Sequence, residues 1–215
     1  LMITSDGWPA LWLQREEARL LAREGRTADA ADACRAAAEL AEALGIPSEV
    51  HHRRVAASFY SAWAGRTTDA IELARASLDV ASETKSSELV ANGHYAVGLS
   101  LHRAGDLLGA AREYRAALNA WPRRASDPKL IAWITELAAV ESALGRHDQA
   151  LGRLGSIPAA TRARLSEPWE AKLETYVAHT KLGAHLAGHQ RFPLDELLAS
   201  FEALPATWRR LDDRG

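Results

Sequence analysis

The sequence predicts an all-α protein built as an array of about five antiparallel helix pairs. Three observations support this class. The hexad Gly-Arg-Thr-x-Asp-Ala occurs twice, at 25–30 and at 65–70. Glycines stand 40 residues apart at 25, 65, 105 and 145, each followed five residues later by an alanine. Apolar residues around each glycine recur at the 3- and 4-residue spacing of a helix face, without the alternation of a strand.

Length and charge limit the classes of protein that fit. The 215 residues can bury a substantial core, and we expect one domain over 1–215. With 26 basic and 28 acidic residues the net charge is −2, which predicts no direct binding to nucleic acid or to an anionic membrane. The first residues lack the pattern of a signal peptide, and no apolar run approaches the ~18 residues of a membrane span. We therefore expect a cytoplasmic protein.

The glycines are predicted to end the first helix of each pair, because glycine readily adopts the left-handed conformation that closes a helix. The following alanine lets the second helix approach closely. The predicted pairs lie at about 9–45, 48–84, 87–122, 127–158 and 168–204. The fifth pair is irregular, since Gly188 follows Gly145 by 43 residues, and a terminal repeat is expected to be atypical.

Short polar residues and prolines mark the predicted helix starts and the final stop. The predicted N-caps are Thr27, Thr67, Ser48, Ser86 or Ser87, Asp127 and Ser166. Pro205 is predicted to end the last helix, leaving a short C-terminal tail.

The third unit carries a family likeness. Its matching positions are Gly98, Gly105, Ala110, Tyr114, Ala117 and Pro122. In these residues the chain resembles the tetratricopeptide repeat (TPR) family, although Cys34 and Ala74 replace the aromatic residue in the first two units. The resemblance implies a right-handed solenoid that binds a protein or peptide in a groove, with no catalytic residue and no cofactor. A period of 40 rather than about 34 implies longer helices or looser linkers, similar to repeats in regulatory regions of bacterial transcription regulators.

The resemblance also implies that the first helices line the groove, at positions counted back from each turn glycine. The counted residues are Trp12, Arg15 and Arg19 in the first unit, His52, Phe59 and Trp63 in the second, and Asn92, Tyr95, Leu99, His102 and Arg103 in the third. Aromatic side chains flanked by Arg and His predict a peptide partner with apolar anchors and an acidic group. The other interpretation is that the aromatic residues pack between repeats and the arginines form a solvated face.

Other functions have less support in the sequence. A small-molecule receptor or enzyme could use Trp63, Tyr95, His102 and Arg103 as pocket walls. His185 and His189 have the i, i+4 spacing of metal ligands, but no Glu follows the first histidine, so no metal is predicted. Self-association through the apolar ends of the array is a further hypothesis. Cys34 lies in an alanine-rich run, which predicts a small buried side chain.

Overall fold

The computed structural model describes residues 7–122, 128–163, 165–189 and 192–212. Over these residues the regular structure is entirely helical, which confirms the all-α helical-repeat class with about five helix pairs. The helices are α1 (Gly7–Arg23), α2 (Thr27–Ala43), α3 (Pro47–Trp63), α4 (Thr67–Glu83), α5 (Ser87–Arg103), α6 (Leu107–Ala120), α7 (Pro128–Ala143), α8 (His147–Gly155), the four-residue α9 (Ala159–Arg162), α10 (Glu167–Leu186) and α11 (Leu194–Asp212).

The helices form two compact units. Unit 1 runs from Leu1 to Pro122 and holds α1 to α6, and unit 2 runs from Arg123 to Gly215 and holds α7 to α11. A single domain over 1–215 and a right-handed array both stay predictions. Within unit 1, α3 packs directly on α5, and ion pairs join α2 to α4. The first helices α3 and α5 therefore lie in one layer of unit 1, and the second helices α2 and α4 lie in the other.

Helix length accounts for the 40-residue period. Helices α1 to α5 each have 17 residues, and turns of three residues join them. Two helices with their two turns thus fill one period. The middle residue of every turn in unit 1 is left-handed, at Gly25, Gly45, Gly65, Lys85 and Gly105. The extra residues relative to a shorter repeat therefore lie in longer helices, and the linkers stay tight.

The repeated hexad forms a complete turn with the start of the next helix. In its first copy the amide of Gly25 donates to the carbonyl of Ala22, and that of Arg26 donates to Leu21, which satisfies the end of α1. In its second copy the Arg66 guanidinium donates to the Asp69 carboxylate at 3.0 Å. The alanine that ends each copy is fully buried. Each hexad position thus closes one helix, opens the next or allows the two to pack.

Three sequence predictions of helix caps are corrected. Arg26 and Arg66, rather than Thr27 and Thr67, flank the starts of α2 and α4, because the three-residue turn ends at the arginine. Ser48 lies inside α3, whose flanking residue is Ile46 followed by proline at the first helical position.

Two other predicted caps are in place. Ser86 caps α5, and its hydroxyl accepts from the Leu89 amide at 3.4 Å. Ser166 flanks α10 without a side-chain cap hydrogen bond. Asp127 lies outside the described residues.

The predicted end of the last helix is also wrong. Helix α11 continues through Pro205 to Asp212, so most of the predicted tail is helical. Proline lacks an N–H and removes one backbone hydrogen bond, and α11 continues through Pro205 in spite of that loss. The same helix exposes Leu194 and Leu198 and buries Leu197.

The two units have cores of different character. In unit 1 small residues dominate, as in the cluster of Ala18, Cys34 and Ala57. In unit 2 larger side chains such as Ile131 and Leu173 form the core. Small side chains let 17-residue helices approach along their whole length, which explains why alanine marks the sequence repeat.

Candidate partner-binding surface

Four aromatic rings form a continuous row across α3, α5 and α6. The ring centres of Trp63 and Phe59 lie 6.4 Å apart, and Phe59 meets Tyr95 edge-on at 5.9 Å. Tyr95 in turn lies 5.6 Å from Tyr114. We call these four residues the aromatic row. Trp63 is 51% exposed, Phe59 and Tyr95 are half-buried, and Tyr114 is buried. The row is therefore anchored in the core at one end and open to solvent at the other.

Helix geometry explains how the row assembles. Phe59 and Trp63 are four residues apart, so they lie on the same face of α3. Because α3 packs directly on α5, Tyr95 reaches Phe59. His102 lies two turns further along α5, and its ring stands perpendicular to that of Tyr114 at 6.4 Å. Aromatic contacts of this kind hold each ring in a defined orientation.

A second surface lies on α1, where two tryptophans are followed by two arginines at helical spacing. Trp8 and Trp12 are 48% and 58% exposed. Arg15 and Arg19 continue the same face, and both approach the carboxylate of Glu16, Arg19 at 3.2 Å. We call Trp8, Trp12, Arg15 and Arg19 the tryptophan–arginine stripe. Two exposed indoles beside two cations offer apolar contact and positive charge together.

The buried ring of His51 contacts the half-buried side chain of Asn92. The Nδ1–H of His51 donates to the carbonyl of Ser77 at 2.9 Å, and the Asn92 amide lies 3.4 Å from His51 Nε2. Burial lowers the pKa of His51, the Ser77 hydrogen bond opposes that shift, and the charge of neighbouring His52 adds to it. The neutral ring, accepting from Asn92, is the form this environment favours.

The structure distributes the predicted residues between these features. Phe59, Trp63 and Tyr95 are brought together in the aromatic row, and His102 adjoins its buried end. Trp12, Arg15 and Arg19 lie on α1, while His52 and Arg103 are exposed on α3 and α5. Asn92 is engaged with His51.

One predicted lining residue lies in the core. Leu99 is only 6% exposed, because it sits on the part of α5 that faces the core, so it offers a partner little surface. Two residues were missed by counting back from the glycines. Trp8 lies one turn before Trp12, a spacing that could have revealed it, and Tyr114 reaches the row from a second helix.

Unit 2 presents a different first-helix face. A groove of about 470 Å³ lies between α7, α8 and α10, and small residues such as Ala139, Ser142 and Ala143 line one side of it. His147 and His179 line it as well. The Nδ1–H of His185 donates to the Phe192 carbonyl at 2.8 Å. Within the described residues no group of three or more His, Cys, Asp or Glu side chains is placed to hold a metal ion.

No helix in the described part of the chain has both the length and the apolarity needed to cross a membrane.

Solved repeat proteins share this fold. The TPR-like repeats of a predicted kinesin light chain from Podosopora anserina superpose with a TM-score of 0.71 at 20% identity, covering 94% of this chain and 97% of that one. BtubC from P. vanneervenii gives 0.70 at 16% identity, covering 91% and 78%. The apo form of RapI gives 0.69 at 13% identity, covering 99% and 67%. The chain therefore has a TPR-like fold. No protein-family model matches the sequence, and no curated protein matches it significantly.

Proposed function

We propose that this protein binds a protein or peptide partner on the first-helix layer of unit 1. The observation that carries the proposal is the exposure of large aromatic side chains there, with Trp12 at 58% and Trp63 at 51%. Tryptophan, tyrosine and arginine are the residues that most often dominate the energy of a protein interface. Exposed indoles on rigid helices also lose little conformational entropy when a partner covers them.

The charges on this layer favour an acidic partner with apolar anchors. Arg15 and Arg19 stand beside Trp12, with Glu16 as their shared counter-charge, and Arg103 is exposed on α5. Guanidinium groups bind carboxylates with paired hydrogen bonds, and apolar side chains pack against indole rings. Because Trp63 is half-exposed, it lies on an open face rather than inside a closed pocket. An open face suits an extended or helical peptide better than an enclosed small molecule.

The experiment is a selection from a displayed peptide library with the immobilised wild-type chain. We expect enriched sequences to combine Asp or Glu with aromatic or branched apolar residues. Their binding should be lost in a Trp12→Ala/Trp63→Ala variant and kept in Leu108→Ala. Leu108 is the matched control, because it is 59% exposed but lies on the second helix α6. An unchanged melting temperature in both variants shows that the fold is intact.

Two results would contradict the proposal. Enriched peptides that bind the double variant as tightly as the wild type would move the site elsewhere. A selection without enrichment would remove the support for peptide binding altogether. A cytoplasmic role as the partner-binding part of a bacterial regulator stays a prediction from the lengthened repeats, and the native partner's identity would test it.

A further inference from the structure

The outward side of α1 exposes apolar residues at positions that pack against another helix elsewhere in unit 1. Leu13 and Leu20 are 60% and 54% exposed. On the same side of the helix, Ala10 lies one turn before Leu13, and Glu17 lies between the two leucines. We call these four residues the N-terminal edge. The periodicity of 40 residues assigns each of them a counterpart in α3 and another in α5.

The counterparts in α3 contact the preceding second helix, α2. Val50, the counterpart of Ala10, packs in a cluster with Ala37 and Ala41. Ala57 and Tyr60, the counterparts of Glu17 and Leu20, pack with Cys34. The partner face on α2 is thus a stripe of small side chains.

The counterparts in α5 contact α4, the second helix that precedes α5, in the same way. Gly93 corresponds to Leu13, and a β-carbon there would lie 3.0 Å from the Leu78 backbone. Ser100 corresponds to Leu20, and its hydroxyl donates to the Ala70 carbonyl at 3.2 Å. This row of positions therefore meets a second helix in both repeats, and the position of Leu20 does so each time, as Tyr60 and as Ser100.

Ion pairs flank the contact between the first and second repeats. Arg66 donates to Asp32 at 2.9 Å, and Arg35 donates to Asp69 at 3.3 Å. Arg66 and Asp69 belong to the second hexad. The first hexad supplies the same two residue types at the same positions, Arg26 and Asp29, which pair with each other at 2.7 Å. The N-terminal edge is therefore flanked by the charges that the second repeat uses to contact α2.

Glu17 distinguishes the N-terminal edge from its two counterparts. Ala57 and Val97 occupy this position in α3 and α5 and are 0% and 3% exposed. Glu17 is exposed, and no hydrogen bond or ion pair joins it to another side chain in the described part of the chain. A helix that covered Leu13 and Leu20 would desolvate this carboxylate, which is costly unless a cation faces it.

We propose that the N-terminal edge docks an α-helix belonging to a TPR-like repeat of a partner protein. That helix presents a stripe of small residues to Leu13 and Leu20, and a Lys or Arg to Glu17. An Asp followed three residues later by an Arg flanks the stripe and pairs with Arg26 and Asp29. Surface ion pairs of this kind contribute mainly to register and partner choice, while the leucines supply the apolar contact.

The test attaches a probe helix to the chain. The probe is a copy of residues 27–46, which contain α2 and the turn after it, and it replaces residues 1–6. The copied turn then connects the probe helix to Gly7 at the start of α1, just as the natural turn connects α2 to α3. In one fusion the copied Cys34 is changed to Arg and in the other to Glu. Tethering raises the effective concentration of the probe, so weak docking is measurable. Ala10→Cys, at an exposed position whose counterpart Val50 is buried, reports docking through its rate of thiol labelling.

We expect the Arg fusion to slow labelling of Ala10→Cys by at least about tenfold, and the Glu fusion to leave the rate unchanged. A Glu17→Lys substitution should reverse that preference. Labelling of Leu108→Cys on α6 should not change in either fusion. Equal protection by both fusions, or protection by neither, overturns the proposal. Sedimentation of the unfused wild type tests a second copy as the occupant. If the wild type forms a dimer and the Leu13→Asp/Leu20→Asp variant does not, the proposal of a separate partner protein is overturned and the edge binds a second copy of this chain.

Discussion

The backbone of Gly98 in α5 lies directly against the ring of Tyr114 in α6. A β-carbon at position 98 would be 2.7 Å from Cδ1 and 2.8 Å from Cε1 of that ring. Tyr114 has no exposed surface, so the ring cannot relieve the overlap by moving into solvent. Because Tyr114 also contacts Tyr95, this close approach fixes the buried end of the aromatic row.

Substitution of Gly98 by alanine is therefore expected to destabilise the protein. The added methyl group overlaps the buried Tyr114 ring, and overpacking of this kind costs about 1–3 kcal/mol of the free energy of unfolding. Urea denaturation measures the change. Gly152→Ala in α8 is the matched control, since nothing lies within 4 Å of its added β-carbon, and helix propensity predicts a gain of about 0.5–1 kcal/mol. Equal effects at both positions would show that the Gly98 contact is not tight.

Lys85 is expected to limit stability at its turn. Its φ is 56°, whereas glycines occupy the middle position of the other turns of unit 1. A side chain in the left-handed conformation costs about 1–2 kcal/mol, so Lys85→Gly should stabilise by about 1 kcal/mol after the entropy cost of glycine. Gly45→Lys, at the equivalent turn with φ of 68°, should lower the free energy of unfolding by a similar amount. Melting temperatures of the two variants give the measurement, and a loss in Lys85→Gly would contradict the assignment.

Stability is expected to fall at acidic pH through His51. Burial depresses its pKa in the folded protein, so the unfolded chain binds the proton more readily. The neutral ring's contribution is complete above the unfolded pKa near 6.5 and is lost as the pH falls through the lower folded value. Melting temperatures at pH 7.5 and 5.0 should differ in the wild type and in the exposed-site control His179→Gln. The difference should shrink in His51→Gln, and an unchanged difference there would exclude His51 as a source.

Cys34 is expected to be unreactive in the folded protein. Burial raises its pKa to about 11, and the charge of Arg53 offsets this only in part, so thiolate is scarce at neutral pH. The side chain is also 2% exposed. Labelling by a thiol reagent at pH 7.5 should be at least about 100-fold faster in 6 M guanidinium chloride than in buffer. Rapid labelling in buffer would show that the cluster of Ala18, Cys34 and Ala57 opens readily.

The fold could be predicted because glycines mark the turns between helices in the sequence. Gly25, Gly65 and Gly105 recur at a fixed interval, and only a few residue types tolerate the conformation that they adopt. The turn at Lys85 was harder to find, because its left-handed residue carries a side chain. The extension of α11 beyond Pro205 could not be read from the sequence, since proline is a common helix terminator and packing decides whether a helix continues past it.

The candidate surface could be predicted only in part. Counting back from the turn glycines places Phe59, Trp63 and Tyr95 on the first helices, and their rings indeed form contacts. The same count cannot tell an exposed position from a buried one, because the tilt of each helix against its neighbours depends on side-chain volume. Leu99 is an example, since the count places it in the groove and it is only 6% exposed. Tyr114 reaches the row from α6, and a count along the first helices does not include it.

The two hexads share five of their six residues, and this similarity has a genetic consequence. Removal of residues 27–66 joins Arg26 to Thr67 and leaves Gly-Arg-Thr-Thr-Asp-Ala at the junction, so the turn between a first and a second helix is preserved. Duplication of the same 40 residues preserves it equally. Recombination between the hexads therefore changes the length of the array by a whole repeat without shifting the register of any helix. Removal also takes Phe59 and Trp63 out of the chain, so a change in the number of repeats changes the aromatic row at the same time.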